Sequence, residues 1–381
     1  MEEYTFVATC LFGLEKTVGE EITELGYTKT ETIDGRITFR GGIDAIARCN
    51  IGLRTAERLY LSMGSFDAVT FDELFEKTKA LPWEEWIGED DAFPVSGHAI
   101  RSRLFSIPDC QSIVKKAIVD RLSSQYGISW FSEEGAKVRI EFFILNDRAT
   151  LMIDTSGVPL HKRGYRPAAG IAPLRETLAA AMVKASRPRE NVLLWDPFCG
   201  SGTIAIEAAA LMTGTSPGVE RHYAAEDFCD ISPDVFSRAR EEARDRVHKS
   251  DFEAFASDID PDMVEMAKAN VARAGLGNNI KCFVADARRI EKPDRRGSIV
   301  TNPPYGERLM TPQEVASLYR EIGRNFASFL PWQFYILSSA EDFETLFGRR
   351  ADKVKKMYNG MIKCGLFEYF KNGEKKPFAK T

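Results

Sequence analysis

Short apolar runs alternate with amphipathic stretches throughout the second half of the chain. The apolar runs have the length of buried strands, which are predicted at residues 191–195, 254–257, 280–284, 298–301 and 334–337. The amphipathic stretches predict helices at residues 202–212, 261–274 and 312–329. Two further runs, 353–358 and 361–370, meet at Asn359-Gly360 and predict an antiparallel hairpin. This pattern is typical of an α/β fold with a doubly wound, mostly parallel sheet and a modified edge.

The first half of the chain has a different pattern, with strands and helices in two α+β groups. A strand at residues 4–10, a helix at 14–25, a strand pair at 29–41 and a helix at 43–61 form the first group. The second group is predicted at residues 71–83, 98–104, 113–126, 137–146 and 148–154. Proline and glycine concentrate after His161, which marks the border before the α/β part. We predict domains at residues 1–66, 67–156 and 157–381.

Composition points to an ordinary globular protein, with 44% hydrophobic and 28% charged residues in 381. The N-terminus lacks an apolar signal core, and no apolar run reaches membrane-spanning length. The seven cysteines include no Cys-x-x-Cys pair, and there are only four histidines. We therefore expect a cytoplasmic protein with reduced thiols, no metal site and no membrane partner.

Charge is distributed unevenly along the chain, although the formal net charge is only −5. Residues 1–100 hold 9 Lys and Arg against 19 Asp and Glu, whereas residues 101–190 hold 15 against 9. The basic middle part is compatible with a phosphate-binding face, and equally with an ordinary solvated surface. The candidates for contact with nucleic acid phosphates in this part are Arg101, Arg103, Lys115 and Lys116.

The residues that follow the apolar run 297–301 are Asn302, Pro303, Pro304 and Tyr305. Neither proline can donate to a strand ladder, so the strand must stop there with one amide and one aromatic ring in fixed directions. The Asn302 carboxamide oxygen and the Pro303 carbonyl can accept hydrogen bonds from the amino group of a flat base on which Tyr305 stacks. A strand-ending turn with a packed tyrosine is the alternative interpretation.

A glycine-rich loop follows the apolar strand that ends near Trp195. It begins with Asp196, contains Gly200 and Gly202, and enters a helix near Thr203. The helix N-terminus favours an anion, whereas the leading acid can accept a hydrogen bond from an ammonium. The loop is not the Gly-x-Gly-x-x-Gly of dinucleotide-binding proteins. An α-amino acid moiety carries both groups, as S-adenosylmethionine does.

Two more acids follow predicted strands. Asp258 is placed to hold the hydroxyls of a ribose, and Asp286 to receive an adenine amino group. For any one of these acids alone a helix N-cap is the favoured interpretation, whereas three acids and a glycine loop at successive strand ends favour a shared binding site. Since 62 residues separate Asp196 from Asp258, well above the usual gap of about 20, residues 213–250 are predicted to be a helical insertion.

These motifs resemble those of class I S-adenosylmethionine-dependent amino-methyltransferases, which have a Rossmann-like sheet. The string from Thr301 to Leu309 and the segments 160–166 and 172–178 are similar to RNA guanine-N2 methyltransferases with a THUMP domain. Residues 6–15 and 54–58 resemble the ferredoxin-like N-terminal module of that family. The resemblance covers essentially the whole chain and is strongest to the first half of the bifunctional bacterial enzyme that modifies large-subunit (23S) ribosomal RNA.

The resemblance implies methyl transfer to a guanine amine in structured RNA, with a transfer RNA substrate as the alternative. The second methyltransferase half is not in the sequence, so a second methylation is not expected. By position, the target base is assigned to Asn302, Pro303, Pro304 and Tyr305. The cofactor is assigned to Leu174, Thr177, Asp196, Phe198, Gly200, Gly202, Thr203, Asp258, Ile259, Asp286, Ala287 and Asn302. Arg163 and Arg166 join the RNA-binding candidates.

Three other functions are compatible with parts of this pattern. An adenine-N6 methyltransferase can hold the adenine amino group with the same asparagine carboxamide. A non-catalytic RNA-binding assembly factor can retain the fold. A nicotinamide-dependent oxidoreductase is disfavoured by the missing glycine fingerprint. The oligomeric state cannot be predicted from the sequence.

Overall fold

The structure, a computed structural model, describes residues 3–167, 174–305 and 310–371. Pro173 and residues 306–309, which belong to the motifs named above, lie outside the described residues. The chain forms two compact units, each assembled from separated segments. The first contains residues 1–10, 18–160 and 218–242, and the second contains residues 11–17, 161–217 and 243–381.

The helices and strands, in chain order, alternate in both units. The strands are β1 Tyr4–Cys10, β2 Thr28–Ile33, β3 Arg36–Gly41, β4 Ala56–Asp67, β5 Val95–Ile100, β6 Ile140–Leu145, β7 Arg148–Asp154, β8 Leu193–Asp196, β9 Ala254–Asp258, β10 Ile280–Val284, β11 Gly297–Thr301, β12 Gln333–Ser338, β13 Lys353–Asn359 and β14 Ile362–Tyr369. The α-helices are α1 Glu15–Glu24, α2 Asp44–Gly52, α3 Phe71–Lys79, α4 Ile107–Tyr126, α5 Glu176–Ser186, α6 Thr203–Met212, α7 Pro233–Asp245, α8 Pro261–Arg273, α9 Pro312–Ala327 and α10 Phe343–Phe347.

The first unit contains one seven-stranded sheet in the order β2-β3-β1-β4-β7-β6-β5. Strand β4 joins its two halves, since it pairs with β1 on one side and with β7 on the other. The two α+β groups of the sequence therefore share a continuous sheet. The predicted border between residues 66 and 67 falls at the end of β4.

The helix predicted over residues 43–61 is wrong in its second half. Helix α2 ends at Gly52, and the carboxylate of Glu21 then accepts hydrogen bonds from the backbone N–H groups of Arg54 and Thr55. Leu59 to Leu61 lie in β4 and are buried there. Pairing with two distant strands overrides the local helical spacing of this segment, because burial and a strand ladder on both edges stabilise the extended form.

Residues 218–242 fold with the first unit although they lie between α6 and β9. The Arg48 guanidinium donates to both carboxylate oxygens of Glu242, each over 2.9 Å. Tyr223 is fully buried and stacks on Phe236 with the ring centroids 5.8 Å apart. The insertion predicted at residues 213–250 is thus helical only in part, and α7 is its main helix.

The second unit contains a sheet in the order β10-β9-β8-β11-β12-β14-β13. Strands β8 to β12 pair in parallel, and β14 and β13 close one edge as an antiparallel hairpin. Every residue of β8 and β11 is buried, which is typical of parallel strands covered on both faces. The predicted α/β fold, with its doubly wound sheet and final hairpin, is confirmed.

An aromatic core fixes the helices against this sheet. Trp195 packs near Phe255 and Phe329, and its indole N–H donates to the Ser257 hydroxyl of the next strand over 2.9 Å. This contact locks the carboxyl ends of β8 and β9 side by side. Within the described part of the chain, no helix has the length and apolar character needed to cross a membrane.

Candidate active site

A cavity of about 1260 Å³ opens at the carboxyl ends of the central parallel strands. Ligands of doubly wound folds bind at this edge, because the loops there leave a crevice. Most of the residues predicted for the site line this cavity. They are Leu174, Asp196, Phe198, Gly200, Thr203, Asp258, Ile259, Asp286, Ala287, Asn302, Pro303, Pro304 and Tyr305.

Four polar residues follow one another across the sheet in spatial order. Asp286 follows β10, Asp258 ends β9, Asp196 ends β8 and Asn302 follows β11, and these strands are neighbours in that order. Since adjacent strands lie about 4.8 Å apart, the row spans roughly 14 Å. That length suits an extended adenosyl group with its amino acid tail, followed by a second reactant beside Asn302.

Asp196 is the buried acid of the row. Its Oδ1 accepts a hydrogen bond from the Thr301 hydroxyl over 2.7 Å and one from the backbone N–H of Phe198 over 3.2 Å. Burial raises the pKa of Asp196 to about 7, and the nearby Asp258 carboxylate adds to the rise, while the two hydrogen bonds oppose it. A cation at this position would restore the ionised form.

Asp258 shapes the glycine loop. One of its oxygens accepts from the backbone N–H of Gly200 over 2.9 Å, and the other accepts from the backbone N–H of Asp260 over 3.1 Å. A carboxylate has about four acceptor positions, so both oxygens keep capacity for the two hydroxyls of a ribose. The helix N-cap of α8 is Asp260 and not Asp258, since the Asp260 side chain accepts from Asp262.

Asp286 has a partner that the sequence did not suggest. The Arg288 guanidinium donates to both of its oxygens, with Nε 2.8 Å from Oδ1 and Nη2 2.7 Å from Oδ2. These charged hydrogen bonds lower the pKa of Asp286. An adenine amino group would share this carboxylate with Arg288.

Arg166 braces the cofactor loop, so its predicted role in RNA binding is wrong. Its guanidinium donates to the Leu174 carbonyl and to the Thr203 hydroxyl, both over 3.1 Å. It also pairs with Glu176 at 2.9 Å, and its side chain is only 7% exposed. An RNA phosphate cannot reach a guanidinium enclosed in this way.

Arg163 is enclosed as well, and the same correction applies to it. Its side chain is 3% exposed, with Nε 3.5 Å from a carboxylate oxygen of Glu207. The Tyr165 hydroxyl donates to the same oxygen over 3.1 Å. The basic string after Leu160 therefore supports α6 from inside the unit. Sequence charge alone could not separate such buried arginines from surface ones.

The four earlier RNA-binding candidates differ in how far they are available. Arg101, Arg103 and Lys116 are exposed on the first unit. Lys115 instead donates to the Phe93 carbonyl and to Glu133, both over 3.1 Å. Three exposed cations thus remain from the predicted set.

Asn302 carries the clearest sign of a role in ligand binding. Its Oδ1 is buried and has no hydrogen-bond partner among the residues that the structure describes. A buried acceptor without a partner costs about 1–3 kcal/mol, so it is retained where a ligand supplies the donor. The adjacent Pro304 carbonyl accepts a hydrogen bond from the Tyr319 hydroxyl over 3.0 Å, which holds the turn in place.

Tyr305 is half-buried in the same cavity, and burial raises the pKa of its hydroxyl. Asn359, from the β13–β14 turn, donates to that hydroxyl over 2.8 Å. Neither Asn359 nor Thr301 was predicted as a site residue. Thr301 directly precedes Asn302, whereas the Asn359-Gly360 pair signalled only a turn.

Two predicted cofactor residues do not line the cavity. Thr177 is fully buried in α5. Gly202 has a φ of +82°, and a Cβ there would come within 3.2 Å of the Ala267 Cβ, so its role is to let α6 pack against α8.

Family models match the chain in three consecutive stretches. Residues 5–60 match the RlmL ferredoxin-like domain, and residues 68–154 match the THUMP domain. Residues 163–368 match the RMKL-like methyltransferase domain, which is more than half of the chain. The chain belongs to the RMKL-like methyltransferase family. The predicted resemblance to THUMP-containing methyltransferases is confirmed.

Some relatives of this chain have the same length, and others are about twice as long. A Bacillus subtilis (strain 168) protein, YpsC, provisionally named as an RNA methyltransferase, is 44% identical over 97% of both chains. The ribosomal RNA large subunit methyltransferase K/L of Psychromonas ingrahamii is 32% identical over 94% of this chain and 49% of its own. The chain thus spans about half the length of that relative.

Solved structures share the whole fold. SMU.472, provisionally described as a methyltransferase, was solved in complex with SAH and is 36% identical, with a TM-score of 0.90 over 98% of this chain and 100% of its own. A Listeria monocytogenes protein, described as a predicted N6-adenine-specific DNA methylase, is 43% identical with a TM-score of 0.90, over 97% of this chain and 96% of its own.

S-adenosylmethionine is the cofactor of this methyltransferase domain, as predicted. The residues present fit it. The Asp258 carboxylate keeps acceptor capacity for a ribose, and the buried Asp196 carboxyl would gain a cation in the ammonium group. Asp286 stands at the far end of the row, where an adenine would lie.

Proposed function

We propose that this chain methylates the N2 amine of a guanine in large-subunit ribosomal RNA. The observation that carries the proposal is the buried Oδ1 of Asn302, which has no hydrogen-bond partner among the described residues and lies beside the cofactor cavity. An exocyclic amine can donate to this oxygen, and the Pro303 carbonyl is assigned as the second acceptor. Tyr305 is assigned to stack on the base.

The chain's contribution to the reaction is orientation. An aromatic amine is a weak nucleophile, because its lone pair is delocalised into the ring. Two acceptors that hold both N–H bonds direct the lone pair out of conjugation and towards the cofactor, so rate enhancement comes mainly from positioning. S-adenosylmethionine supplies a methyl group on a sulfonium, which leaves as a neutral thioether when the N–C bond forms. The amine then loses one proton to water.

The choice of guanine as the target base rests on the resemblance of the sequence motifs, and the choice of ribosomal RNA as the substrate rests on the relatives. The THUMP match and the K/L relative favour an RNA substrate, and the K/L name favours the large subunit. A reaction on that RNA is expected in the cytoplasm. Transfer RNA guanine is the nearest alternative. Adenine N6 is the second, supported by the description of the Listeria relative and by the fact that the amide grip suits any planar amine.

The experiment compares modified nucleosides, by mass spectrometry, in ribosomal and transfer RNA from cells with and without the gene. Complementation with wild type and with Asn302→Ala separates catalysis from assembly effects. We expect N2-methylguanosine to fall in large-subunit RNA and to return only with wild type. A loss confined to transfer RNA would reassign the substrate, and a loss of N6-methyladenosine would overturn the guanine assignment. Restoration by Asn302→Ala would overturn the catalytic role of that residue.

A further inference from the structure

The turn of the β13–β14 hairpin carries an exposed apolar side chain. Asn359 pairs with Ile362, so Gly360 and Met361 alone form the turn. Gly360 has a φ of +64°, as the first position of a tight hairpin turn favours. Met361 is 97% exposed. One exposed apolar side chain is ordinary by itself, so the position of Met361 decides whether it has a role.

This tip stands at the rim of the cavity that holds the base-gripping motif. Asn359, Gly360, Met361 and Ile362 all line it. The hydrogen bond from Asn359 to the Tyr305 hydroxyl fixes the turn relative to the motif, at 2.8 Å. The turn is therefore tied to Tyr305, the residue assigned to stack on the target base.

The arms of the hairpin are basic. From residue 353 to residue 363 there are four lysines and no acid. Lys363, next to the tip, is exposed, and Lys353 is exposed with Glu368 3.9 Å away. Lys363 is placed to attract a phosphate beside the turn, whereas Lys353 lies at the far end of the hairpin.

We propose that Met361 is a wedge that enters the RNA base stack and occupies the place of the guanine that turns into the cavity. This rests on the proposed function. A base in a helix cannot reach Asn302 without leaving its stack, and apolar side chains inserted between bases compensate for the lost stacking. An unbranched, flexible thioether adapts to a gap of uncertain shape.

The wedge defines a substrate class. A guanine that is already splayed out in a loop leaves no gap to fill, so it gains nothing from Met361. A guanine that is paired or stacked in a helix leaves a gap in the stack when it turns out, and Met361 can fill that gap. The dependence on Met361 should therefore be largest for a guanine that must leave a helical stack.

The test compares two RNA oligonucleotides that carry the mapped target guanine in the same local sequence, one paired in a hairpin stem and one unpaired. Met361→Ala is measured against Val354→Ala, an exposed position on the same hairpin away from the tip. We expect Met361→Ala to lower kcat/KM at least about tenfold on the stem and less than about twofold on the unpaired RNA. Val354→Ala should leave both within about twofold.

A second measurement reports base extrusion directly. 2-Aminopurine retains the 2-amino group and fluoresces when unstacked, so it replaces the target guanine in the stem, with S-adenosylhomocysteine present. Wild type and Val354→Ala should raise the fluorescence, and Met361→Ala should not.

Equal losses on both RNAs, or no loss on either, would overturn the wedge while leaving the proposed function intact. If wild type methylates the mapped guanine in neither RNA but still binds S-adenosylmethionine, the failure lies in the proposed function instead.

Discussion

Asn359 donates a hydrogen bond from its side-chain amide to the hydroxyl of Tyr305 over 2.8 Å, although 54 residues separate the two in sequence. The bond connects the edge hairpin to the turn that follows the central strand β11. Tyr305 is therefore held by a group from outside its own loop. Its ring can be placed for stacking before a base arrives, which reduces the ordering cost of binding.

Loss of this bond should weaken RNA binding more than cofactor binding. Asn359→Ala is expected to raise KM for RNA about five- to tenfold, since a neutral hydrogen bond contributes about 1 kcal/mol. The Kd for S-adenosylmethionine should stay within about twofold. Tyr305→Phe removes the same bond from the other side. A double-mutant cycle on KM should show that the two effects do not add, and full additivity would mean that the bond does not position the ring.

Asp196 should make cofactor binding depend on pH. Its pKa of about 7 lies above the ordinary 3.8, so the ligand-free carboxyl is largely neutral at lower pH, whereas an ammonium requires the ionised form. We expect Kd for S-adenosylmethionine to rise about tenfold per pH unit below 7 and to level off above it. Calorimetry in buffers of different ionisation enthalpy should show proton release at pH 6.

The same carboxyl should affect folding in the opposite direction. Between pH 3.8 and about 7 the folded chain holds a proton that the unfolded chain has released, so stability falls as pH rises through this window. Asp196→Asn keeps an oxygen for Thr301 and Phe198 and avoids burying a charge. It should raise Tm at pH 8, flatten the pH dependence of Tm and weaken S-adenosylmethionine binding. A lower Tm at pH 8 would contradict the buried-carboxyl account.

Arg166→Met should behave as a structural and cofactor-site variant. Breaking one side of a buried ion pair costs about 3–5 kcal/mol, and it also releases the Leu174 carbonyl and the Thr203 hydroxyl. We expect weaker S-adenosylmethionine binding and a lower denaturation midpoint in urea. An unchanged stability with weaker RNA binding would restore the role first predicted for this arginine.

Arg103→Ala is the matched surface variant, since the Arg103 side chain is 74% exposed. If the exposed cations of the first unit contact phosphates, RNA affinity should fall and the slope of log K against log salt should decrease by about one. Cofactor binding and unfolding should not change. The readout is RNA binding by fluorescence anisotropy at several salt concentrations, and an unaltered slope would remove this residue from the RNA contact.

The parts of the fold that the sequence predicts are those where local signals and burial agree. Strand β11 stops at Thr301 because Pro303 and Pro304 cannot extend it, and the final hairpin turns at Asn359-Gly360 as expected. The segment 53–61 was misassigned, because its partners β1 and β7 are distant in sequence and no local pattern announces them.

The residues of the site also divide into those that the sequence predicts and those that only the folded structure reveals. Acids at the ends of successive strands could be placed on one edge of the sheet from their order in the sequence. The partners of those acids could not. Arg288 on Asp286, Thr301 on Asp196 and the enclosure of Arg163 and Arg166 depend on side-chain directions that only the folded unit determines.

Asn302 is proposed to grip the amine of the target base, and we expect the cofactor contact also predicted for it to contribute little to cofactor affinity or to the fold. The most direct measurement is methyl transfer to RNA under single-turnover conditions by wild type and Asn302→Ala, with S-adenosylmethionine affinity measured by calorimetry on the same preparations. We predict a rate loss of about 10²–10³-fold with cofactor affinity within about threefold. A parallel loss of rate and cofactor affinity, or an unchanged rate, would contradict the account.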